Sequence, residues 1–259
     1  MEIYIISAIF IALALYIYSK TRRRKQEPFP KKWHKLLLDN VHFYSSLSKE
    51  KQLVFQNRMM QFLSEVYIES VGFTLTDLDK VFVACSAVIP VFGFDEWHYN
   101  NLSGVLLYPD HFNNDMEFDS KAESRSIGGI VGNGRLENQM IFSRKALYSG
   151  FLNKTDKNNT GIHEFVHLID KMDGIVDGIP EALIPHQYAM PWLKLIHKEI
   201  EAINDDKSDI RQYGGTNQAE FFAVASEYFF ERPDLLRVKH PELYKMMKEC
   251  FNQKPQSAT

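Results

Sequence analysis

Cysteine is scarce. Cys85 and Cys250 are the only two in 259 residues, too few and too far apart for a disulfide framework or a C-x-x-C metal site, and in keeping with a reducing compartment. An excess of positive charge is also missing: the net charge is −3 and the pI near 6.3. The chain therefore lacks the basic footprint of a DNA- or RNA-binding protein. There is no internal repeat, which excludes solenoids and arrays. The Gly-rich run SIGGIVGNGR (126–135) lacks the Gly-Lys-Ser/Thr of a P-loop, and a strand pattern rather than a helix follows it. It reads as a flexible loop.

A single long apolar run is present, and it comes first. Residues 3–19 read IYIISAIFIALALYIYS and are followed at once by Thr21-Arg22-Arg23-Arg24-Lys25. A helix of about 17 residues is at the short end of what spans a bilayer. Tyr4, Tyr16 and Tyr18 suit the two interfaces, and the basic cluster belongs on the cytoplasmic side. The expectation is a single-pass anchor in the plasma (inner) membrane, with the bulk of the chain cytoplasmic. A cleavable signal peptide, with Ala12-Leu13-Ala14 as its site, is the rival. It lacks a positive segment ahead of the apolar run. A buried core helix is disfavoured because the run has no polar face.

The expected organisation is an anchor (1–20), a basic, Pro-containing juxtamembrane linker (21–31), one folded domain (32–253) and a tail (254–259). After Ser48, an N-cap residue, KEKQLVFQNRMMQFLSEVYI shows helical spacing. Thr76-x-x-Asp79 forms a capping box ahead of VFVACSAVI, an apolar helix expected to stop at Pro90. Residues 103–109 and 139–143 are strand candidates, and helical spacing returns at about 158–171, 189–204, 217–231 and 234–252. Helices, then a few strands, then helices predict an α+β domain, mostly helical with a small central sheet.

Within GIHEFVHLIDKMDG (161–174) stands His163-Glu164-Phe165-Val166-His167, the pattern H-E-x-x-H. On a helix, the two imidazoles lie one turn apart on one face and can share a cation. Glu164, about 100° round the helix, can reach a metal-bound water and act as general base. With 9 histidines in the chain, the pattern arises by chance in roughly two per cent of such sequences. Its apolar neighbours imply a buried helix, whose polar groups then need partners.

A catalytic zinc takes three protein ligands and keeps one position open. Three candidates for the third emerge from the spacing. Asp173 lies six residues after His167, but Asp170 stands where that arrangement needs a glycine. The other candidates are Glu220 and Glu227 in NQAEFFAVASEYFF (217–230), seven residues apart on one helix face. One of these would be a ligand and the other a partner orienting a ligating histidine. Two solvated glutamates on an exposed face are the alternative.

HEFVHLID and QYGGTNQAEFFAVASEYFFERP, together with FPKKWHKLLLDNV, SAVIPVFGF and GVLLYP upstream, resemble the Mlc titration factor A (MtfA) family of zinc peptidases, over roughly residues 27–253. The family's catalytic region is similar to the anthrax lethal factor protease domain, a gluzincin whose third ligand is a glutamate on a later helix. The resemblance implies a zincin-like domain with one Zn2+, ligands His163, His167 and Glu220, general base Glu164, and Tyr213 as a second catalytic residue. A phenol there could stabilise the oxyanion of the tetrahedral intermediate. It also implies an aminopeptidase-like preference and a transcriptional regulator as partner. The expected function is a membrane-anchored zinc metallopeptidase acting on peptides or a protein. The alternative is a non-catalytic zinc-containing protein that sequesters a regulator. Main-chain recognition by a sheet edge, at 139–143 or the neighbouring loop, is expected for the substrate.

Overall fold

Several helices of this chain start where a side chain closes the first turn. The structure is a computed structural model and describes residues 25–113, 116, 126–132, 137–153, 155–184 and 188–256. The apolar run 3–19 lies outside the described residues, and within them no helix is long and apolar enough to cross a membrane. Helices α1 (Lys31–Asn40) and α2 (His42–Ser45) bury Trp33, Leu37 and Tyr44. Helix α3 (Lys49–Glu65) begins at Ser48, whose Oγ accepts the Lys51 amide. Helical spacing in the sequence runs on to Ile68, but the chain leaves the helix at Val66 (φ −115°, ψ 127°). Aromatic Tyr67 and β-branched Ile68 then enter strand β1 (Tyr67–Ser70).

Helix α4 (Asp77–Val91) is buried along most of its length. Its capping box forms as expected: the Thr76 amide donates to Asp79 Oδ2 at 2.8 Å, and the Asp79 amide to Thr76 Oγ1 at 3.3 Å. Pro90 does not stop it. One residue from the end, proline sacrifices a single amide, and the last carbonyls are taken by side chains. Gln253 Nε2 donates to Ile89 O at 2.9 Å and Pro90 O at 3.0 Å, and Arg58 to Val91 O at 3.1 Å.

The sheet has the order β1-β2-β4-β3, with β2 at Gly104–Tyr108, β3 at Gly129–Val131 and β4 at Gln139–Ser143. β1, β2 and β4 run parallel, and β3 is antiparallel to β4 with Gly129 opposite Phe142. The segment read as a flexible loop thus supplies the edge strand, and 139–143 lies inside the sheet. Ser143 also caps helix α5 (Arg144–Leu152), accepting the Ala146 amide at 3.1 Å. Arg144 Nε in turn donates to the buried carboxylate of Asp79 at 2.6 Å, tying α5 to the start of α4.

Two helices form the centre of the second half. Helix α6 (Thr160–Asp170) begins at Asn159, whose Oδ1 accepts the Ile162 amide at 3.1 Å. Helix α7 (Ala189–Asn204) precedes helix α8 (Gln218–Glu231), which is capped in the same way by Asn217 on the Glu220 amide at 2.9 Å. Phe165 of α6, Trp192 of α7 and Phe221, Phe222 and Phe229 of α8 are fully buried. The last apolar stretch is two helices, α9 (Pro233–Lys239) and α10 (Pro241–Cys250). Pro241 holds His240 at φ −131°, ψ 64°, outside the helical region, so a continuous helix cannot pass. The observed architecture is mostly helical α+β with a small mixed sheet.

Candidate metal centre

Helix α6 sets His163 and His167 one turn apart, with their Nε2 atoms 3.1 Å from each other. Glu220, in the first turn of α8, brings Oε2 to 3.2 Å from His163 Nε2 and 3.4 Å from His167 Nε2. Ligands bound to zinc at roughly 2.0–2.1 Å with tetrahedral angles stand about 3.3 Å apart, so the three atoms already have the separation of a shared coordination shell. Glu220 Oε2 is buried without a hydrogen-bond partner among the described residues. A cation between the three atoms satisfies it, and the donor set fits zinc.

Glu227, one helical heptad after Glu220, is 1% exposed. Its Oε1 lies 2.7 Å from His163 Nδ1. A carboxylate can only accept, so Nδ1 carries a proton, and Nε2, which faces Glu220 and His167, is the nitrogen left to bind a metal once its own proton is lost. Glu227 Oε2 accepts the amide of Asn159, the cap of α6, at 2.5 Å, and the guanidinium of Arg211 donates to Oε1. Arg211 also donates to Asn158 at 2.7 Å. Burial lowers the His163 pKa, but the carboxylates of Glu227 and Glu220 outweigh it and raise the pKa to about 10. Burial works against ionisation of Glu220, yet the two imidazoles hold its carboxyl well below the usual range. The pocket thus attracts positive charge, and a metal must displace a proton to enter.

Glu164 is buried and stands apart from the donor set. Burial raises its carboxyl above the ordinary value, while both imidazoles pull it down. The carboxylate fits because residue 129 is glycine. A Cβ at Gly129 would stand 2.6 Å from Glu164 Cγ and 3.0 Å from Oε1. Tyr213 sits on a 3-10 turn (Gln212–Gly215), half exposed, with its ring centroid 5.9 Å from that of His163. Burial and the neighbouring Glu220 carboxylate push its pKa up to about 12. Asp173 lies outside the cluster, in a 3-10 turn after α6, accepting the Ile175 amide at 2.9 Å.

These groups open into a groove of about 890 Å³, with β3 along one side and the chain from Lys171 to Asp177 along another. Gly178 pins that second wall. Its amide donates to Asp170 Oδ2 at 2.8 Å, its carbonyl accepts from Trp192 Nε1 at 2.6 Å, and it packs against the Gln218 backbone at φ +77°. No side chain fits at Gly178 against Gln218, which stands two residues before Glu220.

The sequence singled out the histidines, Glu220, Glu227, Glu164 and Tyr213; the structure brings all but Glu227 to one groove and sets Glu227 behind His163. It leaves Asp173 out. Arg211, Asn159 and Gly129 escaped notice. Asn159 carried a readable signal, an asparagine just before a helix. The Gly128-Gly129 pair ahead of a branched residue could have marked a close approach in a strand. Arg211 carried none.

A helical α+β domain with a His, His, Glu donor set and a buried carboxylate beside it defines a candidate centre of the metallopeptidase class. Residues 17–252 match the family described as glucose-regulated metallo-peptidase M90, and the chain belongs to that family. It is 26% identical to an uncharacterized protein of Synechocystis, over 97% of each chain. It is 28% identical to Mlc titration factor A of Pectobacterium atrosepticum, over 70% of this chain and 71% of the relative. The identity to Mlc titration factor A of Escherichia fergusonii is 26%, over 91% of both. The family is one of metal-dependent peptidases.

Proposed function

We propose that the protein is a zinc-dependent peptidase in which His163, His167 and Glu220 hold the ion and Glu164 is the general base. One observation carries this reading: three ligand atoms converge within 3.4 Å of one another in a groove, beside a buried carboxylate outside the donor set. Zinc bound there supplies a Lewis acid that polarises the peptide carbonyl and acidifies water. Glu164 takes the proton of the attacking water and delivers it to the leaving amine. Tyr213 stays protonated at neutral pH and donates to the oxyanion. Glu227 keeps His163 in the ligating tautomer. The outer edge of β3, which no strand pairs among the described residues, binds the substrate as an added strand. Changing Glu164 to Gln should retain the metal and lower kcat by about 10²–10⁴-fold. Turnover at the wild-type level in that variant would overturn the assignment. The aminopeptidase-like preference is tested on the same preparations by comparing peptides with free and acetylated N-termini.

The same reading anchors the enzyme at the cytoplasmic face of the membrane through residues 1–20, supported by the apolar run and the basic residues that follow it. Fractionation should find the full chain in membranes, with a C-terminal epitope shielded from protease added outside the cell. A soluble chain, or an epitope cut from outside, contradicts it.

The name Mlc titration factor A, carried by several relatives, supports a second reading in which the protein sequesters a transcriptional regulator. Glu164→Gln separates the two. A sequestering protein keeps its cellular effect in that variant, and a peptidase loses it.

A further inference from the structure

Lys171 lines the groove. It follows the last residue of α6, four positions on from His167, and is half-buried. Its Nζ stands 3.4 Å from the carbonyl oxygen of Gly132, the residue just past β3, so the side chain bridges helix and sheet edge. That single long contact leaves most of an ammonium's three-donor capacity unused. No ion pair joins Lys171 to a carboxylate among the described residues. Asp177 lines the same groove but turns Oδ1 to the Ile179 amide at 3.0 Å. Arg211, the other cation near the site among the described residues, is committed to Glu227 and Asn158. Lys171 is therefore the cation that the described wall of the groove offers to a ligand.

Its distance from the reacting centre is set by the strand. Gly129 lies against the Glu164 carboxylate, and Gly132 is three residues further on, about 10 Å along an extended chain. A peptide lying along β3 brings to Lys171 a residue two to three positions from the bond that is cut. We propose that Lys171 selects substrates with a carboxylate at that place, so that the site takes acidic peptides. This inference rests on the peptidase reading above. The carboxylate is either an Asp or Glu side chain or the peptide's own C-terminus.

The test uses the full-length, zinc-loaded protein and a mixed-sequence library of eight-residue peptides, half with free and half with amidated C-termini, with cleavage sites read by mass spectrometry. Wild type should cut peptides with Asp or Glu at one position within three residues of the scissile bond about five- to tenfold better than those with Asn or Gln. Enrichment in the amidated half identifies a side-chain carboxylate, and cleavage confined to the free half identifies the C-terminus. Lys171→Met should abolish the preference, and Lys171→Glu should invert it toward Lys and Arg, with KM moving more than kcat and zinc content unchanged. A merely structural Lys171 cannot produce that inversion. Cleavage by wild type within twofold across acidic, neutral and basic peptides, and equally in the free and amidated halves, overturns the role of Lys171 alone. No cleavage of any peptide by zinc-loaded wild type overturns the peptidase reading, and this inference with it.

Discussion

Changing Glu227 to Gln removes a buried charge at a point where every neighbour donates. His163 Nδ1–H, the Asn159 amide and the Arg211 guanidinium all point at its two oxygens. Whichever way the new amide is turned, its NH2 faces one of these donors. At 1% exposure there is no solvent to take the donor over. An unsatisfied buried donor costs about 1–3 kcal/mol of stability. The larger effect falls on the metal. His163 loses the partner that fixes its tautomer, and losses of this kind weaken metal binding about 10–100-fold, or roughly 1.4–2.7 kcal/mol. Arg211, about a third exposed, can turn to water, so the broken ion pair adds little. Competition with a chromophoric chelator gives the affinity, and thermal unfolding with and without metal gives the stability. A folded Glu227→Gln protein that binds zinc within twofold of wild type would refute the role assigned to Glu227.

Gly129→Ala should push the Glu164 carboxylate from its seat and lower kcat by roughly 10²-fold with zinc retained, since small displacements of a catalytic group are costly; unchanged kcat in a folded variant would count against that contact. A third prediction concerns pH. His240 Nδ1 lies 2.9 Å from Glu199, its Nε2 lies 2.8 Å from Asp209, and Lys157, Tyr228 and Lys239 also face Asp209. Glu199 and Asp209 outweigh burial and raise the His240 pKa, so its contribution is complete below pH 6.5 and fades as pH rises through the raised value. Lys157, His240 and Tyr228 hold the Asp209 carboxyl below its usual 3.8 despite burial, so its share is complete above that pH and is lost on acidification. The network is strongest between the two. His240→Gln should cost roughly 1–2 kcal/mol at pH 5, or about 2–8 °C in Tm, and less at pH 9. An equal loss at both pH values would show that the charge on His240 is not what stabilises.

Much of the fold was legible because its signals are local. The capping box at Thr76 and Asp79, the strands around 104–108 and 139–143 and the helix at 189–204 are set by neighbours in sequence. β1 was not legible, because Tyr67 and Ile68 keep the helical spacing of α3 and only pairing with β2 decides their state. β3 was hidden by its glycines, which read as a loop until β4 and Glu164 stand beside them. α5 was overlooked because it starts directly from the last residue of a strand. The site divides in the same way. Two histidines one turn apart need a helix and nothing else, but the third donor comes from a segment more than fifty residues later. Spacing alone left Asp173, Glu220 and Glu227 open, and resemblance to a family favoured Glu220. Arg211 acts only through Glu227, which no sequence pattern announces.

The central claim is that His163, His167 and Glu220 form one metal site. Elemental analysis of the purified full chain, wild type beside Glu220→Ala and Asp173→Ala, tests it most directly. The account predicts one equivalent of zinc in wild type and Asp173→Ala, and loss or clear weakening in Glu220→Ala. Normal zinc binding by a folded Glu220→Ala protein, or none by wild type, would contradict it.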